Sequence, residues 1–339
     1  MKVLWLSPWL RPLARVHADA LTALGHEVLL VTSDQHPEPA EPRAGEVVVD
    51  VRWKRPWTWP EWWRLRRQVQ AFRPDVVVGE IVRDPRWTRL APGVPLVDVV
   101  HDDRPHGADE ELPRWERRLF GRWKAGAVRT IVFSEHVGRH VDAAPQSIVP
   151  LASDLDKSAV PPLVPAGGRR DVVLVGRLNS YKNIPVVLEA WGRHVTGTAF
   201  RGDDLVLIGN GDLGDLPPHV RWQQGAFSYA DTVGQLAAAK ASVCHYRVAT
   251  QSGVQVLALQ LGVVPIVSDQ GGLPEYQPDG APVVGVDDVD GLAAAFDRLA
   301  DPEVAAADGA AARTRYEQHH APAVVGRALE AALSDAVGR

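Results

Sequence analysis

Three segments in the second half of this 339-residue chain place cations, hydroxyls and glycines directly after apolar runs. The first is Gly176-Arg177-Leu178-Asn179-Ser180-Tyr181-Lys182, which follows DVVLV (171–175). An arginine at a strand end and a lysine five residues later at a helix start put two positive charges beside helix-terminal amides. That combination binds anions. The second is Thr250-Gln251-Ser252-Gly253-Val254, where Thr250 or Ser252 can cap a helix and Gly253 lets a ligand approach the backbone. A phosphate suits these amides, although an ordinary helix cap has the same composition. The third, Ser268 to Glu275, is a glycine turn after another apolar run. In the first half, PLVDVV (95–100) runs into His101 and Asp102, with His106 close behind. A histidine at a strand's C-terminal edge is a candidate substrate contact, and a solvent-facing histidine is the plainer alternative. Asp102-Asp103 and Asp154/Asp156 lack a third ligand with metal-site spacing, so no metal is expected.

The elements that must position these residues alternate as strands and helices in both halves. VLWL (3–6), VLLVTS (28–33), VVVG (76–79), VPLVDVV (94–100) and TIVFS (130–134) read as buried strands, with helices over 16–25 and up to 71–74. The pattern restarts at DVVLVG (171–176) and continues through DLVLIG (204–209), VRWQQG (220–225), SVCHY (242–246), VPIVSD (264–269) and GAPVVG (280–285). Helices are expected over 231–241, 252–262, 289–300 and 328–337. Such alternation predicts an α/β chain of two Rossmann-like domains facing each other across a cleft. The expected division is 1–155, a Pro/Gly-rich linker 156–170, a second domain 171–320, and a helix in 321–339 returning to the first domain.

Gly209-Asn210-Gly211-Asp212-Leu213-Gly214 matches a dinucleotide fingerprint in letters only. The fingerprint needs a helix opening at its third glycine, and Pro217-Pro218 follow instead. The segment reads as a turn.

Composition narrows the class. Net charge is −5, which argues against nucleic-acid binding, and a single cysteine, Cys244, excludes a disulfide framework. No apolar run is long enough to span a bilayer and the first residues read as a strand, so a cytoplasmic protein is expected. The charge is uneven: seven basic residues against one acid, Glu61, lie in 52–73, where five tryptophans (Trp53, Trp57, Trp59, Trp62, Trp63) also fall. Three readings stay open for this stretch: a membrane interface or a lipid-linked, anionic acceptor, an acceptor pocket for a large aromatic aglycone, or ordinary core tryptophans with solvated arginines. The basic helix 116–126 fits the first.

Taken in order, the segments resemble retaining glycosyltransferases of the GT-B fold, of the family-4 type. The resemblance runs through LTALGHEVLLVTS (21–33), RPDVVVGE (73–80), the strand-then-HD segment at 101, IVFSEHV (131–137) and IVPLASDLD (148–156). It continues through VGRLNSYKNIPVVLEAW (175–191), LVLIGNGD (205–212) and the loop and helix of 250–276. It implies transfer of a sugar from a nucleoside-diphosphate sugar (UDP, GDP or dTDP) to a hydroxyl acceptor, small or lipid-linked, with retention and without metal or other cofactor. By the same resemblance, Arg177 and Lys182 neutralise the diphosphate and His101 contacts the transferred sugar. Gly176, Thr250, Gln251, Ser252, Gly253 and Val254 hold the donor, with the base near Trp222 and Gln224. Trp9, Arg11, Asp102 and His106 are candidates on the acceptor side. The chain departs from the family in three respects: Pro265 sits one position later than the usual GxP, the first loop (Ser7-Pro8-Trp9-Leu10-Arg11-Pro12) lacks the usual glycine pair, and two carboxylates are missing. The family's two usual donor-loop glutamates fall near Thr250/Gln251 and Ala258/Leu259, and neither place carries a carboxylate. The missing carboxylates keep two other functions in view, a nucleotide-sugar epimerase of the same fold and a non-catalytic nucleotide-sugar-binding subunit.

Overall fold

The computed structural model describes residues 1–35, 41–102, 113–143 and 145–338. The chain divides into two compact units, Met1–Ala152 with Pro322–Arg339, and Ser153–Ala321.

The first unit runs β1 (Lys2–Leu6), α1 (Arg11–Ala23), β2 (Glu27–Ser33), β3 (Glu46–Val49), α2 (Trp59–Phe72), β4 (Val76–Glu80), β5 (Leu96–Val100), α3 (Arg114–Lys124), β6 (Arg129–Val132), α4 (Glu135–His140) and β7 (Gln146–Ile148). All described pairings are parallel, in the order β3-β2-β1-β4-β5-β6-β7. Parallel strands are covered on both faces, which is why the central ones are continuous apolar runs, fully buried from Val3 to Leu6 in β1 and throughout β4. The second unit runs β8 (Val172–Val175), α5 (Ile184–Thr196), β9 (Leu205–Ile208), β10 (Val220–Gln223), α6 (Tyr229–Ala237), β11 (Ala241–Cys244), α7 (Gly253–Leu261), β12 (Val264–Ser268), α8 (Leu273–Tyr276), β13 (Val283–Val284), α9 (Val289–Leu299) and α10 (Pro302–His319). Its sheet, β10-β9-β8-β11-β12-β13, repeats the same winding. In each sheet the strand order reverses once, between β1 and β4 and between β8 and β11. Crevices at such reversals are where doubly wound sheets bind ligands.

The last helix, α11 (Pro322–Ala336), belongs to the first unit. It packs on α1, where Gly326 lies against Ala20, and Glu330 reaches His26 at 2.9 Å. Residues 156–170, expected as a linker, are part of the second unit. Just before them Leu155 is in its core, and the Arg169 guanidinium donates to the Ala239 and Gly262 carbonyls. Several elements escape the sequence pattern, among them the short helices α4 and α8, the edge strands β3 and β7, and α10. The edge strands β3 and β7 are too short to show alternation. The inner face of α10 is built from Ala305, Gly309 and Ala312, which give no apolar stripe.

Arg11, considered above as an acceptor contact, has a structural task. Its Nε donates to Glu46 Oε1 at 2.7 Å, Arg15 holds Glu46 Oε2 at 2.6 Å, and Thr32 adds a third bond at 2.9 Å. The cluster is buried and ties α1 to β3 across β2. Burial alone would raise the Glu46 carboxyl, but hydrogen bonds from Arg15 and Arg11 pull it down to about 2. Its stabilisation is therefore full above pH ~4.5 and is lost as pH falls through 2. Glu46→Ala leaves two buried guanidinium groups uncompensated and should cost about 3–5 kcal/mol. Chemical denaturation of the variant at pH 7 measures this; a loss under about 1 kcal/mol would show that the cluster is not a buried ion-pair network.

Candidate functional site

The second unit's candidate residues converge at the β8/β11 reversal. After β8 the chain turns through Gly176, passes Arg177, and makes a short 3₁₀ turn over Ser180–Lys182 that brings the lysine back under the loop. Lys182 is buried. Its Nζ donates to the Val175 carbonyl at 3.1 Å and to the Tyr246 hydroxyl at 2.7 Å, so it spans the reversal. Tyr246 Oη lies 3.2 Å from Ser252 Oγ, and Ser252 caps α7 by accepting from the Gln255 amide. One network thus joins the end of β8, the end of β11 and the N-terminus of α7. No carboxylate among the described residues pairs with Lys182. Burial, with a smaller contribution from the charge of Arg177, pulls its ammonium down to about 8. Arg177 itself is exposed and has no hydrogen-bond or ion-pair partner among the described residues. At the start of α7, Gly253 is exposed with open space where a side chain would be. The result is one buried cation, one exposed cation and a free helix N-terminus in one unit: a receptor for a compact, multiply charged anion.

Glycines let the surrounding loops close on this site. A Cβ on Gly209, whose φ is +134°, would collide with the Gly176 carbonyl. One on Gly271, at φ +60°, would collide with the Ala249 carbonyl. The Leu178 amide bonds to the Asn210 carbonyl at 2.7 Å and the Gly272 amide to the Thr250 carbonyl at 3.0 Å. The GxGxxG letters therefore mark loop packing: β10, not a helix, follows Gly214.

Other expected donor contacts fall in different settings. Trp222 sends its indole N–H to the Gly209 carbonyl at 2.9 Å and packs its ring on the core, so its side chain belongs to the fold. Gln224 is exposed. Thr250 is buried, Gln251 half-buried, and Val254 packs between two core clusters. Ala258 and Leu259, where the resemblance would place a glutamate, are buried in α7.

In the first unit, His101 follows β5 and its Nε2 lies 2.7 Å from Glu80 Oε1, at the end of neighbouring β4. Glu80 is completely buried and also accepts from the Trp5 indole at 3.2 Å. Burial alone would raise this carboxyl, but the hydrogen bond and charge of His101 hold it below its usual value. A carboxylate there accepts from Nε2–H and sets the ring's orientation, while Nδ1 has no partner among the described residues. His17 stands beneath, tilted on Trp5 and stacked toward Phe133, and burial lowers it to about 4, so it is neutral. Sequence reasoning found no partner for His101. The clue was available: RPDVVVGE ends a strand adjacent to the one that ends at His101. Asp102 is half-buried, Trp9 is exposed, and His106 lies outside the described residues. Among the described residues no three His, Cys, Asp or Glu side chains group as metal ligands.

Family models match both units: Glycosyltransferase Family 4 over residues 14–156 and Glycosyl transferases group 1 over residues 169–301. Solved structures similar over 99% of the chain share its fold at low identity. Sucrose-phosphate synthase from Thermosynechococcus elongatus has a TM-score of 0.71 at 17% identity, over 99% of its own length. Anabaena HepE in complex with UDP and glucose has 0.67 at 12%, over 100%. The α,α-trehalose 6-phosphate synthase of Burkholderia multivorans has 0.64 at 12%, over 97%. No curated protein matches the chain by sequence. The fold and both matches define a GT-B glycosyltransferase. The chain belongs to the family-4 type of these enzymes.

The buried lysine makes its own prediction. Unfolded lysine keeps its proton to about 10.5, but Lys182 gives it up above about 8. The penalty is full below pH 8 and fades as pH rises toward 10.5. Lys182→Met should therefore be more stable relative to wild type at pH 7 than at pH 10, by on the order of 3 kcal/mol. Denaturation curves at the two pH values measure the difference; an offset that does not change with pH would mean the lysine is not a buried, uncompensated charge.

Proposed function

We propose that the second unit binds a UDP-sugar and that the enzyme transfers the sugar to a hydroxyl acceptor with retention, without a metal ion. The observation that carries this reading is Lys182, a buried ammonium without a carboxylate, linked through Tyr246 and Ser252 to the start of α7. UDP is favoured over GDP or dTDP because HepE, which shares the fold, is described in complex with UDP.

During transfer the C1–O bond to the diphosphate breaks, the sugar gains oxocarbenium character, and negative charge grows on the departing oxygens. Lys182 and the free amides of Gly253 and Val254 are held in place before the reaction begins, so they stabilise that charge without reorganising, and the exposed Arg177 adds its charge from the solvent side. The acceptor oxygen forms the new bond on the face the diphosphate leaves, and its proton passes to a diphosphate oxygen. No protein nucleophile enters, and the two cations take the place of a divalent ion. His101, oriented by Glu80, contacts the transferred sugar. An epimerase of this fold would need an acid and a base at the sugar. The Glu80–His101 pair supplies one such dyad, but Glu80 is enclosed and held ionised, which suits orientation better than proton exchange.

The test is a thermal-shift panel of UDP, GDP, dTDP and ADP. UDP alone should raise the melting temperature by several degrees, and Arg177→Ala or Lys182→Ala should weaken binding by about 10-fold or more. No shift with any of the four would sink the donor assignment. Release of UDP from a UDP-sugar separates transfer or hydrolysis from epimerisation and from binding alone.

No helix among the described residues is long and apolar enough to cross a membrane. We infer instead that the enzyme works in the cytoplasm and touches an anionic membrane face through α2 and α3. Trp57, Trp59, Trp63 and Trp115 are exposed on or beside these helices amid Arg64, Arg67, Arg117 and Arg118, while Trp62 and Trp123 pack on the core. Co-sedimentation should rise with the fraction of anionic lipid and fall with salt. Equal sedimentation with neutral vesicles would refute the contact.

A further inference from the structure

The first unit contains a cavity of about 400 Å³ whose wall comes from the C-terminal ends of four adjacent strands. Pro8 and Trp9 follow β1, Gln35 follows β2, Val51–Arg55 follow β3, and Arg83 and Asp84 follow β4. Its size suits one small ligand. It lies close in the chain to the His101 dyad, since Arg83 is three residues beyond Glu80.

Charge on the wall is unequal. Arg52 is already neutralised by Asp34 at 2.8 Å and Asp50 at 2.7 Å, and Asp84 is held by Arg86 at 2.7 Å. Lys54 and Arg83 have no carboxylate partner among the described residues, and Arg55 makes no ion pair, although its charge is felt by the Asp50 carboxylate. Lys54 lies 5.5 Å from the centre of the Trp53 ring, and Arg55 5.4 Å from that of Trp57. Glu116, from the first turn of α3, is the one wall carboxylate without a cation. Trp9 and Trp53 supply two indole faces, and Trp53 is braced edge-on by Trp115 at 5.8 Å. Two unneutralised cations, with Arg55 only loosely offset by Asp50, against one free acid call for a negatively charged ligand. Indole faces suit the C–H face of a sugar or polyol ring, and a lone carboxylate accepts from its hydroxyls.

We propose that this cavity is the acceptor site and that it selects a hydroxylated acceptor bearing a phosphate or carboxylate. Lys54, Arg55 and Arg83 bind the anion, Trp9 and Trp53 stack on the ring, and Glu116 takes a hydroxyl. The proposal rests on the glycosyltransferase reading for the word acceptor. The anion could belong to a soluble sugar phosphate or to a lipid headgroup, and the chemistry recognised is the same.

Tryptophan fluorescence of the whole chain tests it, with glucose 6-phosphate, glucuronate, glucose and a short-chain phosphatidylinositol as probes. At least one of the three anions should bind 10-fold or more tightly than glucose, and preference between sugar phosphate and phosphatidylinositol reveals the source. The double variant Lys54→Gln/Arg83→Gln should weaken that binding by 10-fold or more while leaving the UDP thermal shift intact. Glucose binding as well as the anions, none of the anions binding, or binding that survives the double substitution would each overturn the proposal. If an anion binds and UDP gives no shift, the donor reading fails and the anionic pocket stands.

Discussion

Lys182 carries a charge that the second unit encloses without giving it a counter-ion, and much of that unit is arranged around this fact. An ammonium removed from water needs its three protons satisfied, and here a strand-end carbonyl and a tyrosine hydroxyl serve two of them. Both partners are neutral. They make burial tolerable without cancelling the charge, so the ammonium's field remains available to a ligand. Gly176 makes room: a Cβ there would sit 3.1 Å from Nζ. Tyr246 is itself buried, which keeps its hydroxyl protonated, and it passes the connection on to Ser252 and α7. Repacking any of these groups would move the lysine.

The first unit handles a buried charge at the equivalent place in the opposite way. Glu80 stands beside the β1/β4 reversal, fully enclosed, but it receives a histidine and an indole N–H. The negative charge is locally satisfied, and its effect is to orient His101. The same winding of strands thus produces a site whose charge is left open and a site whose charge is closed. The first suits recognition of an anion. The second suits exact placement of a neutral or weakly polar contact.

The legible part of the molecule was whatever depends on local order along the chain. Buried parallel strands need unbroken Val/Leu runs, and the loops that follow them carry the site, so Arg177, Lys182, Ser252 and His101 stood out from neighbours alone. What depends on pairing across strands was not legible. Glu80 became a partner for His101 only when β4 lay beside β5, and Arg11 was tied to Glu46 only through β3, a four-residue edge strand. Trp222 shows another limit: the resemblance puts a base near its backbone, and its neighbours in the chain do not reveal that its ring packs on the core and its N–H holds the Gly209 turn. The helix α10 was missed because alanine and glycine faces pack closely without looking hydrophobic.

The absent donor-loop carboxylates follow the same logic. Ala258 and Leu259 lie inside α7's buried face, where an ionised side chain without a partner would be strongly destabilising. The loop before α7 offers a hydroxyl, an amide and free backbone N–H groups, all neutral. Lys182 and Arg177, the charged groups that this network brings together, are both positive. A site of that sign attracts phosphate strongly and discriminates little among sugar hydroxyls, which carboxylates usually grip. On the reading proposed above, the second unit therefore holds its ligand mainly by the diphosphate, and selection among substrates shifts toward the mixed-charge, tryptophan-lined cavity of the first unit. The chemistry that distinguishes this enzyme from others of its fold would then reside at the ends of β1 to β4, where basic residues and tryptophans concentrate.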